Sequence, residues 1–141
     1  MSEKHVLVLC TGNSCRSQMA HGYLKLFLGD VANVYSAGVE RHGLNPFAVE
    51  VMAEDGVDIS HHTSDLVEEY GDVPITHLLT VCDHARETCP VFWGTCSRLH
   101  HSISDPSRLE LVGEERLQAY RATRDEIKAF CRVYAREVLQ Y

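Results

Sequence analysis

The chain has 141 residues, of which 45% are hydrophobic and 23% are charged, and its formal net charge is −7. This length and balance are typical of one globular domain, and no run approaches the ~18 apolar residues of a membrane span. The acidic charge disfavours nucleic acids and anionic membranes as partners. Because the first residues do not resemble a secretory signal, we expect a cytoplasmic protein, and a monomer.

Apolar runs and helix-like patterns alternate along the chain. Strands are predicted at about residues 4–9, 34–36, 76–82 and 98–102. Helices are predicted over residues 17–28, from Asn45 to near Gly56, over 63–70, and over 113–138, with a short polar helix at 83–89 that Pro90 ends. Such alternation predicts an α/β fold in which helices cover both faces of a parallel sheet.

The most informative stretch joins the first strand to the first helix. It begins with Cys10, ends with Arg16 and Ser17, and forms a tight loop between them. A loop of this kind turns its backbone N–H groups inward, and the helix N-terminus adds positive potential, so it can bind an anion. A thiolate is favoured at such a position, and the Arg16 guanidinium matches an oxyanion in two hydrogen bonds.

We interpret this stretch as an active site that binds an oxyanion, with Cys10 as its nucleophile. The predicted oxyanion-binding residues are Thr11, Gly12, Asn13, Ser14, Cys15 and Arg16. A buried cysteine followed by an ordinary turn is the alternative, because Cys-x5-Arg alone occurs by chance. The loop is not a nucleotide-binding P-loop, since it lacks the second Gly and the Lys-Ser/Thr ending.

Six cysteines are many for a reducing compartment, and there they indicate catalysis or metal binding rather than structural disulfides. Cys82 follows a predicted strand, as Cys10 does, and Cys89 lies seven residues further on. In a helix their Cα atoms would be about 10.5 Å apart, which exceeds the ~7 Å limit of a disulfide. The polar segment between them has low helix propensity, so it could unwind and let the two sulfurs join.

This spacing suggests a relay in which Cys10 attacks an oxyanion, Cys82 resolves the adduct and Cys89 carries the disulfide outward. Two separate structural cysteines, or half a metal site, are the alternatives, although no Cys-x2-Cys pair of zinc type exists. Asp105, followed by Pro106, would be the proton donor, since Pro holds the residue before it extended. By itself, an Asp-Pro pair indicates only a turn.

Together these residues resemble the thioredoxin-coupled arsenate reductase family, which is built on the fold of low-molecular-weight tyrosine phosphatases. The matching segments span nearly the whole chain: residues 10–20, 36–38, 42–46, 58–60, 63–65, Cys82, 89–90, 105–106 and 121–127. The resemblance implies a single-domain three-layer sandwich with a four-stranded parallel sheet between helices. It also implies a substrate, arsenate, with phosphate or sulfate as competing oxyanions.

The resemblance assigns a role to each residue of the relay. Cys10 would attack arsenate held by Arg16 and the loop amides, Ser17 would hydrogen-bond the thiolate, and Asp105 would protonate the departing oxygen. Cys82 would release arsenite by forming a disulfide with Cys10. Cys89 would then form a Cys82–Cys89 disulfide, which thioredoxin reduces without a bound cofactor.

Some members of the family hold a potassium ion near the loop. Its ligands would correspond to Asn13, Ser36, Thr63 and Asp65, but His21 stands where a glutamate would complete the set. Because imidazole is a poor substitute for a carboxylate toward a hard cation, we expect potassium to have little effect.

Two other functions compete with arsenate reduction. A phosphomonoesterase of the tyrosine phosphatase type needs only the nucleophile, the arginine, the serine and the aspartate, although Ser107 and Arg108 replace the aromatic residues usual after Asp-Pro. A thiol sensor or an oxyanion-binding module without catalysis is the second, and the complete acid and nucleophile set disfavours it. Cys15, Cys96 and Cys131 are predicted to be non-catalytic.

Overall fold

The computed structural model describes residues 4–83 and 96–139. Four parallel strands form one sheet in the order β2-β1-β3-β4: β1 Lys4–Cys10, β2 Ala32–Gly38, β3 His77–Thr80 and β4 Ser97–His100. The described helices are α1 Arg16–Leu28, α2 Pro46–Glu54 and α3 Gly113–Leu139, with 3-10 turns at Gly29–Val31, Val67–Tyr70 and Pro106–Arg108. The predicted fold class is confirmed.

The central strand β1 is apolar on both faces, and Val6, Leu7, Val8 and Leu9 have no solvent exposure. This is expected of a parallel strand with a neighbour on each side, β2 and β3. The carboxyl ends of β1 and β3 therefore lie side by side, and Leu9 pairs with Thr80. Residues that follow these two ends are brought to one edge of the sheet, where ligand sites of such folds form.

Helix α3 packs along α1 and α2 through an apolar stripe. Its buried side chains recur at three- and four-residue spacing, as a helix with one covered face requires: Tyr120, Thr123, Ile127, Cys131, Tyr134 and Val138. Cys131 packs in the core, since the residue has no exposure. Among the described residues, no helix combines the length and the apolar character needed to cross a membrane.

The start of α2 follows the sequence-based prediction. The Asn45 side chain accepts hydrogen bonds from the backbone N–H groups of Phe47 and Ala48 at 2.8 and 3.2 Å, and Pro46 is the first helical residue. These bonds satisfy N–H groups that the first helical turn leaves without partners. The Asn45 amide also donates to the Tyr120 hydroxyl at 3.0 Å, which ties α2 to α3.

The predicted helix at residues 63–70 is wrong. A 3-10 turn covers Val67–Tyr70, and Leu66 pairs instead with Gly38 at the end of β2. The physical reason is that the backbone here bonds to distant segments: Asp65 donates its N–H to the Asn13 side chain, and its carbonyl accepts from the N–H of Gly38. Residues 63–66 therefore support the loop after β1 and do not form a helical turn.

The predicted helix at 83–89 extends beyond the described residues, as does Pro90. The other predicted elements are confirmed with small shifts of their ends.

Candidate active site

The loop between β1 and α1 runs from Cys10 to Arg16 and makes a tight turn at Asn13. Asn13 has a φ of 48°, a left-handed conformation that asparagine tolerates better than most residues. Its side chain is fully buried, donates to the Ser17 hydroxyl at 2.8 Å and accepts from the N–H of Asp65 at 2.8 Å. These two bonds fix the loop from within.

All carbonyl groups from Cys10 to Cys15 accept hydrogen bonds from outside the loop's concave face. Five of these carbonyls accept from backbone N–H groups at 2.8–3.3 Å: Cys10 from Val39, Thr11 from Glu40, Gly12 from His42, Ser14 from Asn45 and Cys15 from Met19. The sixth, that of Asn13, accepts from the Gln18 side chain at 3.0 Å. A peptide unit is planar, and its C=O and N–H point in opposite directions. The N–H groups of Thr11 to Arg16 therefore point away from these partners, as an anion-binding concavity requires.

Arg16 closes this concavity from the side of residues 103–105. The residue is 9% exposed, and its guanidinium donates to the carbonyl of Ile103 at 3.0 Å and to a carboxylate oxygen of Asp105 at 3.5 Å. A planar guanidinium held at two points keeps one orientation, so its remaining N–H groups are aimed in advance.

Asp105 lies at the mouth of the site, as predicted. Its other carboxylate oxygen accepts from the N–H and the hydroxyl of Ser107 at 3.0 and 2.7 Å, and the buried Pro106 follows. The extended backbone of Asp105 and this short turn hold its carboxyl group within reach of Arg16.

Cys82 meets Cys10 in this site. The Cys82 sulfur is 3.1 Å from the Thr11 hydroxyl oxygen, and a hydrogen bond joins the sulfurs of Cys10 and Cys82. That bond and burial raise the pKa of Cys10 well above its usual value, although Arg16 and the Thr11 N–H act in the opposite direction. In this arrangement the neutral thiol of Cys10 is favoured, contrary to the expectation of a thiolate, because burial and the hydrogen bond with Cys82 outweigh Arg16 and the Thr11 N–H.

The other cysteines have structural surroundings. Cys15 is buried in the wall of the site, and its pKa is raised to about 12 by burial and by the nearby Asp105. Burial likewise raises the pKa of Cys131 to about 12, and Cys96 is half-buried against the core. Cys89 lies outside the described residues.

Residues of the loop, together with Asp105, line a cavity of about 260 Å³. Seven of its residues belong to the predicted site, and three do not: His42, Ser107 and Arg108. His42 lies over Gly12, whose N–H-rich turn it covers, and its ring is 2.6 Å from a Glu40 carboxylate oxygen. The segment 42–46 matches the family, but the sequence analysis assigns His42 no role in the site, since its position follows from the long-range bond between its N–H and the Gly12 carbonyl.

The four residues of the predicted potassium site are connected through hydrogen bonds to the loop and to His21. Thr63 donates to a carboxylate oxygen of Asp65 at 2.8 Å, the Asp65 N–H bonds to Asn13, and Ser36 bonds to His21 at 2.8 Å. The pKa of His21 is lowered to about 3 by burial and by the neighbouring His62, so its ring is neutral at physiological pH.

Comparison with known proteins places this chain in a family. The model of the low molecular weight phosphotyrosine protein phosphatases matches residues 5–140. An arsenate reductase of Halalkalibacterium halodurans is 44% identical over 135 residues, which cover 96% of this chain and 97% of that one.

Solved structures agree with these relatives. One described as an arsenate reductase in the phosphate binding state superposes with a TM-score of 0.80 at 29% identity, over 96% of this chain and 98% of the other. The thioredoxin-dependent arsenate reductase of Corynebacterium glutamicum has the same fold, with a TM-score of 0.76 at 22% identity, over 97% of this chain and 62% of the other. The chain belongs to the arsenate reductase family, which is built on the fold of the low molecular weight phosphotyrosine protein phosphatases.

Proposed function

We propose that this protein reduces arsenate to arsenite through a relay of Cys10, Cys82 and Cys89, and that thioredoxin reduces the final disulfide. One observation supports the proposal above all: a second thiol, that of Cys82, is hydrogen-bonded to the nucleophile and to Thr11 of the loop. Hydrolysis of a phosphate ester needs one thiolate, whereas reduction of arsenic needs two electrons, which two thiols supply when they form a disulfide.

The first step forms a covalent adduct. Arsenate lies against the amides of Thr11 to Arg16, and its charge is balanced by the Arg16 guanidinium. Attack starts from the state in which Cys10 is the thiolate and Cys82 donates a hydrogen bond to it. The Cys10 sulfur bonds to arsenic, and one arsenate oxygen departs as water with a proton from Asp105.

The second step transfers the electrons. Cys82 first loses its proton to water, and the resulting thiolate attacks the Cys10 sulfur while the sulfur–arsenic bond breaks. The electron pair of that bond stays on arsenic, which leaves as arsenite in the trivalent state, while the two sulfurs become a disulfide. The 3.1 Å contact of Cys82 with the Thr11 hydroxyl supports this step, because a hydroxyl that donates to sulfur favours its thiolate.

The third step restores Cys10. Cys89 attacks the Cys82 sulfur, Cys10 leaves as a thiolate, and the disulfide moves to the pair 82 and 89. A dithiol partner of the thioredoxin type then reduces that disulfide by exchange. Ser17 would hold the regenerated thiolate: its oxygen already accepts from Asn13, so its own proton is available for donation.

A second, weaker activity on aryl phosphates is expected, since Cys10, Arg16 and Asp105 suffice for ester hydrolysis and arsenate and phosphate share shape and charge. The rim of the cavity favours the inorganic oxyanion over an aryl phosphate. Ser107 and Arg108 supply polar and cationic groups there, where tyrosine phosphatases have aromatic side chains that pack on the phenyl ring of the substrate.

Two single substitutions test the relay. Cys82→Ser should abolish arsenite formation and still hydrolyse an aryl phosphate, whereas Cys89→Ser should release one arsenite per enzyme and then stop. Arsenate-dependent NADPH oxidation with thioredoxin and its reductase measures steady turnover. A single-turnover experiment without thioredoxin measures how many arsenite molecules each enzyme molecule releases.

Cys96→Ser is the matched control, since it also removes a cysteine and lies outside the cavity; it should turn over like the wild type. Steady turnover by Cys89→Ser would exclude the relay. Loss of aryl phosphate hydrolysis in Cys82→Ser would assign Cys82 a structural role.

A further inference from the structure

His21 occupies an unusual place for a histidine, beside the loop that binds the oxyanion. It follows Ser17 by one helical turn in α1, and its Nδ1 is 2.8 Å from the Ser36 hydroxyl oxygen. A second hydrogen bond joins the ring to the carbonyl of Val34. Its face packs on the His62 ring, with centroids 4.3 Å apart. The imidazole is therefore held on two edges and one face.

The residues around His21 do not fit a potassium ion. Their oxygens already have protein partners: the Asn13 side chain accepts from the Asp65 N–H, Ser36 bonds to His21, and the Asp65 carboxylate accepts from Thr63 and from the Tyr70 hydroxyl at 2.8 and 2.6 Å. A hard cation needs several oxygen ligands at once, and His21 contributes an imidazole where a carboxylate would complete the set.

The charge near this position also disfavours a cation. Lys25 follows His21 by one helical turn in α1, and a potassium ion would add a second positive charge near that of Lys25.

His62 connects this position to the loop. The Gln18 amide donates to the carbonyls of Asn13 and Thr63 at 3.0 and 2.9 Å, which uses both of its hydrogens. Its oxygen therefore faces the His62 Nδ1 at 2.9 Å, and that nitrogen carries a proton and donates. This series of hydrogen bonds, from His62 through Gln18, ends at Asn13, the residue of the loop with the left-handed conformation. The Asn13 side chain in turn donates to Ser17.

We propose that His21, packed on His62, replaces a bound monovalent cation as the support of the oxyanion loop, so that the loop is ordered without potassium. His21 is then a positioning residue that acts through His62, Gln18 and Asn13. The inference concerns the loop itself and does not depend on arsenate chemistry.

The test compares the wild type with His21→Glu, which restores a carboxylate ligand, and with His21→Gln, a neutral control of similar length. Thermal unfolding is measured at neutral pH in potassium chloride and in sodium chloride of equal ionic strength, and inorganic phosphate binding is measured by calorimetry. The wild type should have the same midpoint temperature of unfolding in both salts. His21→Glu should gain several degrees in potassium over sodium, and His21→Gln should show no such difference and bind phosphate several-fold more weakly.

A midpoint several degrees higher in potassium for the wild type would overturn the proposal. So would phosphate affinity in His21→Gln equal to that of the wild type, since the loop would then not depend on this ring. Both measurements remain decisive even if His21→Glu fails to fold.

Discussion

Gly38 is the position where a single methyl group should most directly disturb the oxyanion loop. It ends β2 beside Cys10, and a Cβ atom there would lie 2.5 Å from the Glu40 carbonyl oxygen, 2.7 Å from that of Thr11 and 2.8 Å from the Asn13 nitrogen. These separations are about 0.7–1 Å shorter than the ~3.5 Å at which non-bonded heavy atoms reach their best distance. All three neighbours are backbone atoms, so the loop itself must move.

Gly38→Ala should therefore lower activity more than stability. Overpacking of this kind costs about 1–3 kcal/mol of unfolding free energy, which a folded domain can tolerate. A displacement of about 1 Å at a catalytic group can reduce the rate about 10²-fold. We expect kcat/KM for arsenate to fall by about that factor while the protein remains folded, as measured by steady-state assay and thermal unfolding.

Gly22→Ala is the matched control. Its methyl group would lie 2.9–3.1 Å from side-chain atoms of Ile59, Met52 and Val57, none of which belongs to the oxyanion loop. The gain in helix propensity of about 1 kcal/mol offsets part of the crowding, and kcat/KM should stay near the wild-type value. If Gly38→Ala remained folded with kcat/KM within threefold of the wild type, the reasoning about the loop would be refuted.

Two further predictions concern charge. Burial lowers the pKa of His21 to about 3 and that of His62 to about 4. Between pH 6.5 and 4 the unfolded chain therefore binds protons that the folded chain does not. The free energy of unfolding should fall as the pH is lowered through that window. The double variant His21→Gln, His62→Asn should have a flatter dependence in denaturant unfolding, and an unchanged slope would contradict the assignment. Arg108→Ala should raise KM for arsenate about 2- to 5-fold at low salt, because the side chain is 86% exposed and its charge is screened. A change in kcat, or an effect that persists at high salt, would show that Arg108 does more than attract the substrate.

The sequence was sufficient for the parts of the fold that depend on local chemistry. The β1–loop–α1 unit follows from an apolar run, a short polar turn and helical spacing, and α2 begins at Pro46 because the Asn45 cap precedes it. The stripe of α3 likewise follows from its spacing.

Long-range bonds explain the main structural failure. Residues 63–66 have polar side chains that suit a helix start, but their backbone partners are Asn13 and Gly38, far away in sequence. The same kind of bond places His42 over Gly12, so no local pattern could reveal His42 as part of the site.

The pKa of the Cys10 thiol also depends on its contact with Cys82, which the spacing of cysteines in the sequence does not specify. The position of Cys82 after β3 predicted that it would lie near Cys10, since adjacent parallel strands end together. Direct contact between the two sulfurs was not predictable, and it is this contact that raises the pKa of Cys10.

The central claim is that two sulfurs supply the electrons that reduce arsenate, and that the resulting disulfide moves out of the oxyanion site, from the pair 10 and 82 to the pair 82 and 89. Reduced enzyme is exposed to arsenate without thioredoxin, quenched with a thiol-blocking reagent and analysed by peptide mapping. The account predicts a disulfide between Cys82 and Cys89 with Cys10 recovered as a blocked thiol, and in Cys89→Ser a disulfide between Cys10 and Cys82. Arsenite release with residues 82 and 89 never linked to each other would contradict it.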